Sequence, residues 1–138
     1  MFNKYMIIGS VPSKVEESYG GTTVLVKQLL DYFDEQEFSY VLIQTNKYYG
    51  RLSRFKNYIY TILNYIRYVK STDIIFVNVA SNGVYFISPI LLFLSKKLNK
   101  KFISRNFGGN TIELYNSKNK IKSFLIHYLV KESDILFF

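Results

Sequence analysis

Two glycine-rich loops hold the residue types best suited to bind a ligand. The first, residues 10–23, reads Ser-Val-Pro-Ser-Lys-Val-Glu-Glu-Ser-Tyr-Gly-Gly-Thr-Thr and runs from an apolar strand into a helix. At Gly20, Gly21 and Thr22, backbone N–H groups at a helix N-terminus can hold a phosphate, because the helix end is partly positive and glycine permits close approach. The same residues also suit a plain turn with Thr22 as helix cap. The loop has neither the Gly-Lys-Ser/Thr of a Walker A sequence nor the Gly-x-Gly-x-x-Gly dinucleotide fingerprint. The second loop reads Arg105-Asn106-Phe107-Gly108-Gly109-Asn110. An arginine fork beside amides can grip a phosphate or sugar hydroxyls, or it can be a solvated arginine at a glycine turn.

Other candidates are weaker. Ser81, Asn82 and Gly83 follow a strand and suit a helix start at least as well as a polar lining. Glu16 and Glu17 read as a solvated pair. His127, the single histidine, falls off its helix's apolar stripe and away from the strand ends, so a surface role is expected. With no cysteine and one histidine, neither a disulfide nor a zinc cluster can be assembled, and no metal is expected.

These loops must be positioned by the elements around them. Runs rich in β-branched and aromatic residues at 5–9, 40–44, 73–79, 101–105 and 134–138 predict five strands. Helical spacing predicts a helix over 22–33 with Leu25, Leu29, Leu30 and Phe33 on one face. A second, over 51–70, carries a stripe of Leu52, Phe55, Ile59, Ile62, Leu63, Ile66 and Val69, expected to face the core. A third covers 84–98, is apolar nearly all round, and holds Pro89 in a first turn or at a kink. The fourth covers 118–131 after Asn116 and Ser117 as caps, and presents Ile121, Phe124, Leu125, Tyr128 and Leu129.

Strands alternating with helices imply right-handed crossovers and a doubly wound α/β domain with a parallel sheet. The commonest strand order, 3-2-1-4-5, would bring the loops after Gly9 and Arg105 together at the reversal, where ligands of such sheets bind. At 138 residues and 49% hydrophobic, the chain fits one domain. Its last predicted strand, 134–138, has no covering helix after it, so a chain cut short is expected.

The net charge of +8 favours an anionic partner. The 13 Tyr and 12 Phe suit a surface that is apolar on one side and wet on the other. On the second helix Arg54 lies opposite the apolar stripe, while Arg51, Lys56 and Arg67 flank it. A solvated helix is the simple reading; interleaved tyrosines and cations also suggest that its exposed edge touches an anionic membrane. The start lacks a secretory signal, and the longest apolar stretch, 83–95, is well short of the roughly 20 residues that span a bilayer. An intracellular protein is expected, cytoplasmic or peripheral at the inner membrane face. No RNA- or DNA-binding motif accompanies the charge, so no nucleic acid partner is expected.

Met6-Ile-Ile-Gly-Ser-Val-Pro followed by Tyr19-Gly-Gly-Thr-Thr-Val-Leu-Val-Lys-Gln-Leu-Leu resembles the opening of family-4 glycosyltransferases of the GT-B fold. Arg105-Asn-Phe-Gly-Gly-Asn is similar to the strand-4 loop of bacterial members that build surface polysaccharides. The resemblance implies two Rossmann-like domains across a cleft, the first holding the acceptor and the second most of the nucleotide-sugar donor. Residues 1–138 would be the first alone. It further implies that Gly20 and Gly21 lie by the donor phosphates or reactive sugar, with the nucleotide-sugar as co-substrate and no separate cofactor. Many members carry a histidine after strand 4; Arg105-Asn106 stands here instead, and no catalytic residue carries over. The expected function is transfer of a sugar to a saccharide or lipid-linked acceptor, with the chain inactive alone. The alternative is a non-catalytic subunit that binds membrane or a partner and is completed by a separate donor-binding chain.

Overall fold

A computed structural model describes residues 4–13, 20–80, 82–107 and 111–137. Five parallel strands form one sheet: β1 (Tyr5–Gly9), β2 (Tyr40–Gln44), β3 (Ile74–Ala80), β4 (Lys101–Phe107) and β5 (Ile135–Phe137). The helices between them are α1 (Gly21–Glu35), α2 (Ser53–Tyr68) with a 3-10 turn at Val69–Ser71, α3 (Asn82–Tyr85), α4 (Ile87–Lys97), α5 (Thr111–Tyr115) and α6 (Lys120–Glu132). The architecture is Rossmann-like α/β. Among the described residues no helix is long and apolar enough to cross a membrane.

The strand order is β2-β1-β3-β4-β5, which corrects the expected 3-2-1-4-5. Burial explains the difference. The expected order leaves β3 at an edge, yet Ile75, Val77, Asn78 and Val79 are all buried and the strand is paired on both sides. A near-continuous apolar strand belongs at the centre of a parallel sheet, covered on both faces. The outer positions go to β2, with Leu42 exposed, and to the three residues of β5, with Ile135 and Phe137 exposed.

Alternating side chains distribute the core between two faces. On one face the position of Gly9 meets Val26 of α1, and the Tyr5 ring packs edge-on against Phe33 of α1 with ring centres 5.0 Å apart. On the other, Met6, Ile8, Ile75, Val77 and Phe102 pack under a layer of α2, α4 and α6. Gly9 is required by that packing: a Cβ there would lie 3.0 Å from Val26 Cγ2 and 3.1 Å from Asn78 Cβ.

The orientation of α2 reverses the expected one. Five of the seven residues assigned to its core stripe face outward, with Leu52 65%, Phe55 66% and Leu63 61% exposed, and Ile59 and Ile66 exposed as well. The buried face is Asn57, Thr61 and Tyr65. Each of these polar side chains has a partner that removes the usual cost of burying it. Asn57 accepts from the Tyr48 amide at 2.9 Å and donates to the Tyr48 carbonyl at 3.0 Å. Thr61 donates to the Asn57 carbonyl at 2.8 Å, and the Tyr65 hydroxyl lies 2.7 Å from Ser95 Oγ on α4. Burial pushes the Tyr65 phenol up to about 12, with the Ser95 hydrogen bond opposing part of that rise.

Smaller differences have local causes. The expected helix 84–98 is divided at Phe86, and Pro89 falls in the first turn of α4, where its missing N–H costs no helical bond. The cap of α6 is Asn119 rather than Asn116 or Ser117, its Oδ1 accepting from the amides of Ile121 and Lys122. On α6, Ile126 and Leu129 are buried, whereas Ile121 and Phe124 are exposed.

Candidate functional site

In this strand order the chain leaves β1 toward one side and β3 toward the other, so the reversal lies between them. Helices α1 and α2 pack on opposite faces, and a crevice opens beyond the strand ends, the usual ligand position in a doubly wound sheet. A cavity of about 330 Å³ occupies it.

Hydroxyl groups dominate the cavity's polar lining: Ser10 after β1, Thr22 and Thr23 of α1, Thr45 after β2, and Tyr58 and Thr61 of α2. Arg54 of α2 adds a guanidinium and Asn78 of β3 an amide, while Val79, Ala80 and Ile87 supply an apolar side. Among the described residues no carboxylate lines it. Such a lining can bind a polyhydroxylated molecule through hydroxyl pairs and a negative group through the guanidinium. Burial raises the Tyr58 phenol above its ordinary value, with nearby Arg54 lowering it in part, so the phenol is a neutral donor at pH 7. Its ring stacks on Phe86 at 5.1 Å.

The floor is tied together by side chains. Asn78 donates to the Ile8 carbonyl at 3.2 Å and accepts from Arg105 Nη1 at 3.1 Å, linking the ends of β1, β3 and β4. Ser10 Oγ and Thr45 Oγ1 lie 2.9 Å apart. Asn46 accepts from the Val11 amide and donates to the Val11 carbonyl, fixing the exit from β1 against the exit from β2.

The sequence-predicted residues divide between places. Gly20 is the N-cap of α1, its carbonyl accepting from the Thr23 hydroxyl at 2.8 Å, and Thr22 lies inside the helix rather than capping it. Neither Gly20 nor Gly21 has the positive φ that would demand glycine, and among the described residues a Cβ on either meets nothing within 4 Å. Positive-φ turn geometry therefore does not explain the pair. Gly83 also lines the cavity, and there packing does require glycine, since a Cβ would lie 3.0 Å from Val79 Cβ.

Arg105 is tied to the end of β1 by way of Asn78. The central strand β3 stands between β1 and β4, and Asn78 links the two strand ends across it. Arg105 is half-buried, with Phe107 5.2 Å from its guanidinium carbon, and desolvation lowers its pKa. Asn106 points to the opposite face, buried, its Oδ1 accepting from Ser104 Oγ at 3.0 Å. Gly108, Gly109 and Asn110, like Glu16, Glu17 and Ser81, lie outside the described residues. His127 is exposed on α6, stacked on Tyr115 at 3.9 Å. Among the described residues no group of three or more His, Cys, Asp or Glu side chains can hold a metal ion.

Arg54, Tyr58, Thr61 and Asn78 were not anticipated. The signal for the first three was present, since positions 54, 58 and 61 recur at helical spacing on the side away from the apolar stripe. Asn78 stood out as the amide within an otherwise apolar strand. Comparison with protein-family models, with curated proteins and with solved structures finds no match to this chain.

Proposed function

We propose that the chain is the acceptor-side domain of a glycosyltransferase, one that moves a sugar from a nucleotide-sugar donor to a saccharide or lipid-linked acceptor in cell-surface polysaccharide synthesis. The observation that carries this reading is the hydroxyl-lined cavity with Arg54 on its wall, at the reversal point of a parallel sheet. Six hydroxyls suit the hydroxyls of a sugar. Arg54 and the N-terminal end of α1 suit a phosphate on it.

The lining binds and orients. Stabilising the charge that develops in sugar transfer takes preorganised donors on both sides of the reacting centre, and a donor-binding domain, in the same or a separate chain, supplies the other side. Sugar transfer is therefore expected only when that domain is present. Full transfer activity by the 138-residue chain alone would count against this division of labour.

The direct test is binding of a phosphorylated saccharide, with glucose 1-phosphate as the probe, followed by titration calorimetry. Arg54→Ala is expected to weaken binding by roughly tenfold or more, as loss of a charged hydrogen bond does, and to change the weaker binding of unphosphorylated glucose much less. Equal affinity of the variant and the original chain for the phosphorylated probe would remove Arg54 from the site. The outward apolar face of α2 favours a second property under the same reading, attachment of this domain to the inner face of a membrane.

A further inference from the structure

The outward face of α2 is a surface feature that the cavity does not use. Leu52, Phe55, Ile59, Leu63 and Ile66 form a continuous exposed row along a helix of 16 residues, about 24 Å long. Beside it a shallow apolar groove of about 560 Å³ is bordered by Tyr48, Tyr60 and Lys56. An exposed apolar row of this length on a soluble fold marks a contact surface.

Charge identifies what it contacts. Between Glu37 and Asp73 the chain has six Lys or Arg residues and no Asp or Glu. Of these, Arg51, Lys56, Arg67 and Lys70 are exposed along or beside α2, and Lys47 lies 4.3 Å from the Tyr60 ring centre. A second copy of the chain docked on this face would set cations against cations, because a two-fold interface presents the same patch from both sides. An anionic bilayer satisfies both components: apolar side chains enter the acyl boundary while Lys and Arg reach the headgroups. Tyr48 and Tyr60 border the groove as aromatic residues do at membrane interfaces.

We infer that α2 is an in-plane membrane anchor that seats the domain on an anionic lipid surface through Leu52, Phe55, Ile59, Leu63 and Ile66. The inner face of the same helix carries Arg54, Tyr58 and Thr61 into the cavity, so docking holds the cavity wall at the bilayer. That last point rests on the proposed function and makes a lipid-linked acceptor the substrate class; the docking itself does not depend on it.

The test is sedimentation of the full chain with phosphatidylcholine vesicles, with and without phosphatidylglycerol. Strong binding to the anionic vesicles alone, reduced by salt, is expected. The double substitution Phe55→Ser/Leu63→Ser removes two exposed side chains, so it is expected to leave the circular-dichroism melt unchanged and to weaken vesicle binding by roughly tenfold or more. Should that variant misfold, Lys56→Glu/Arg67→Glu serves, with loss of the preference for anionic vesicles expected. Equal sedimentation with both vesicle types would overturn the inference, as would unchanged binding by a folded Phe55→Ser/Leu63→Ser chain. A dimer that this variant dissolves, without vesicle binding by the original chain, would assign the face to self-association instead. Binding of glucose 1-phosphate by Phe55→Ser/Leu63→Ser, expected to persist, separates failure of the anchor from failure of the cavity reading.

Discussion

Tyr65 is the largest of the fully buried side chains among the described residues, and its hydroxyl is held between helices by Ser95, which itself donates to the Leu91 carbonyl at 2.8 Å. A phenol raised from 10.0 to about 12 in the folded chain ties stability to pH. Its contribution is complete below pH 10.0, where the phenol is neutral folded or unfolded, and is lost as pH rises through about 12. Denaturant melts across that window are expected to show a decline on the order of 2 kcal/mol from this group, and Tyr65→Phe is expected to flatten it. At neutral pH the same substitution removes one buried hydrogen bond and is expected to cost about 1 kcal/mol. The glycines make a contrasting set. Gly9→Ala forces a methyl against Val26 and Asn78 and is expected to destabilise by about 1–3 kcal/mol. Gly21→Ala meets no neighbour within 4 Å among the described residues and restricts the unfolded chain, so its melting temperature is expected to hold or rise. If Gly21 borders a bound phosphate, that variant binds glucose 1-phosphate more weakly while remaining stable.

At the scale of elements, α2 shows what a hydropathy pattern can and cannot reveal. The period near 3.6 identified a helix over nearly the right residues, because one face is uniformly apolar. Period alone does not say which way that face points. Direction was decided by Asn57, Thr61 and Tyr65, whose partners Tyr48, Asn57 and Ser95 lie on the loop before the helix, within it and on α4. Two of those three partnerships are local and one is long-range, so the last was not legible in the chain. Leaving five large apolar residues in water forgoes about 1.5–3 kcal/mol each relative to burial. A vesicle surface that covers them recovers part of that, and the melting temperature is expected to rise when phosphatidylglycerol vesicles are added. No rise, in a chain that does bind the vesicles, would mean that the row stays at the headgroup level.

For the whole molecule, the alternation of strands and helices was legible because each element is short and separately patterned. The position of β3 was misjudged by adopting the commonest order over the meaning of its own residues: Ile-Ile-Phe-Val-Asn-Val-Ala is a long, near-continuous apolar run and sits in the middle. Moving β3 inward shifted the cleft from between β1 and β4 to between β1 and β3. Thr22 and Thr23, at the start of α1, line that cleft, whereas Arg105 donates to Asn78 at its floor. Arg54, Tyr58 and Thr61 stayed hidden because an arginine, a tyrosine and a threonine on one helix face read as solvated until the opposite face is seen to be outside.

The side-chain ties beneath the cleft have a further consequence for altering this protein. Asn78 fastens β1 to β4 across the central strand, and Asn46 clamps the exit of β1 to that of β2. These ties give the base of the cleft a rigidity of its own, independent of the helices that form its walls. Replacements among the side chains that line the walls, such as Thr22 on α1 or Tyr58 on α2, can therefore retune what the cleft accepts without disturbing the strands that support it.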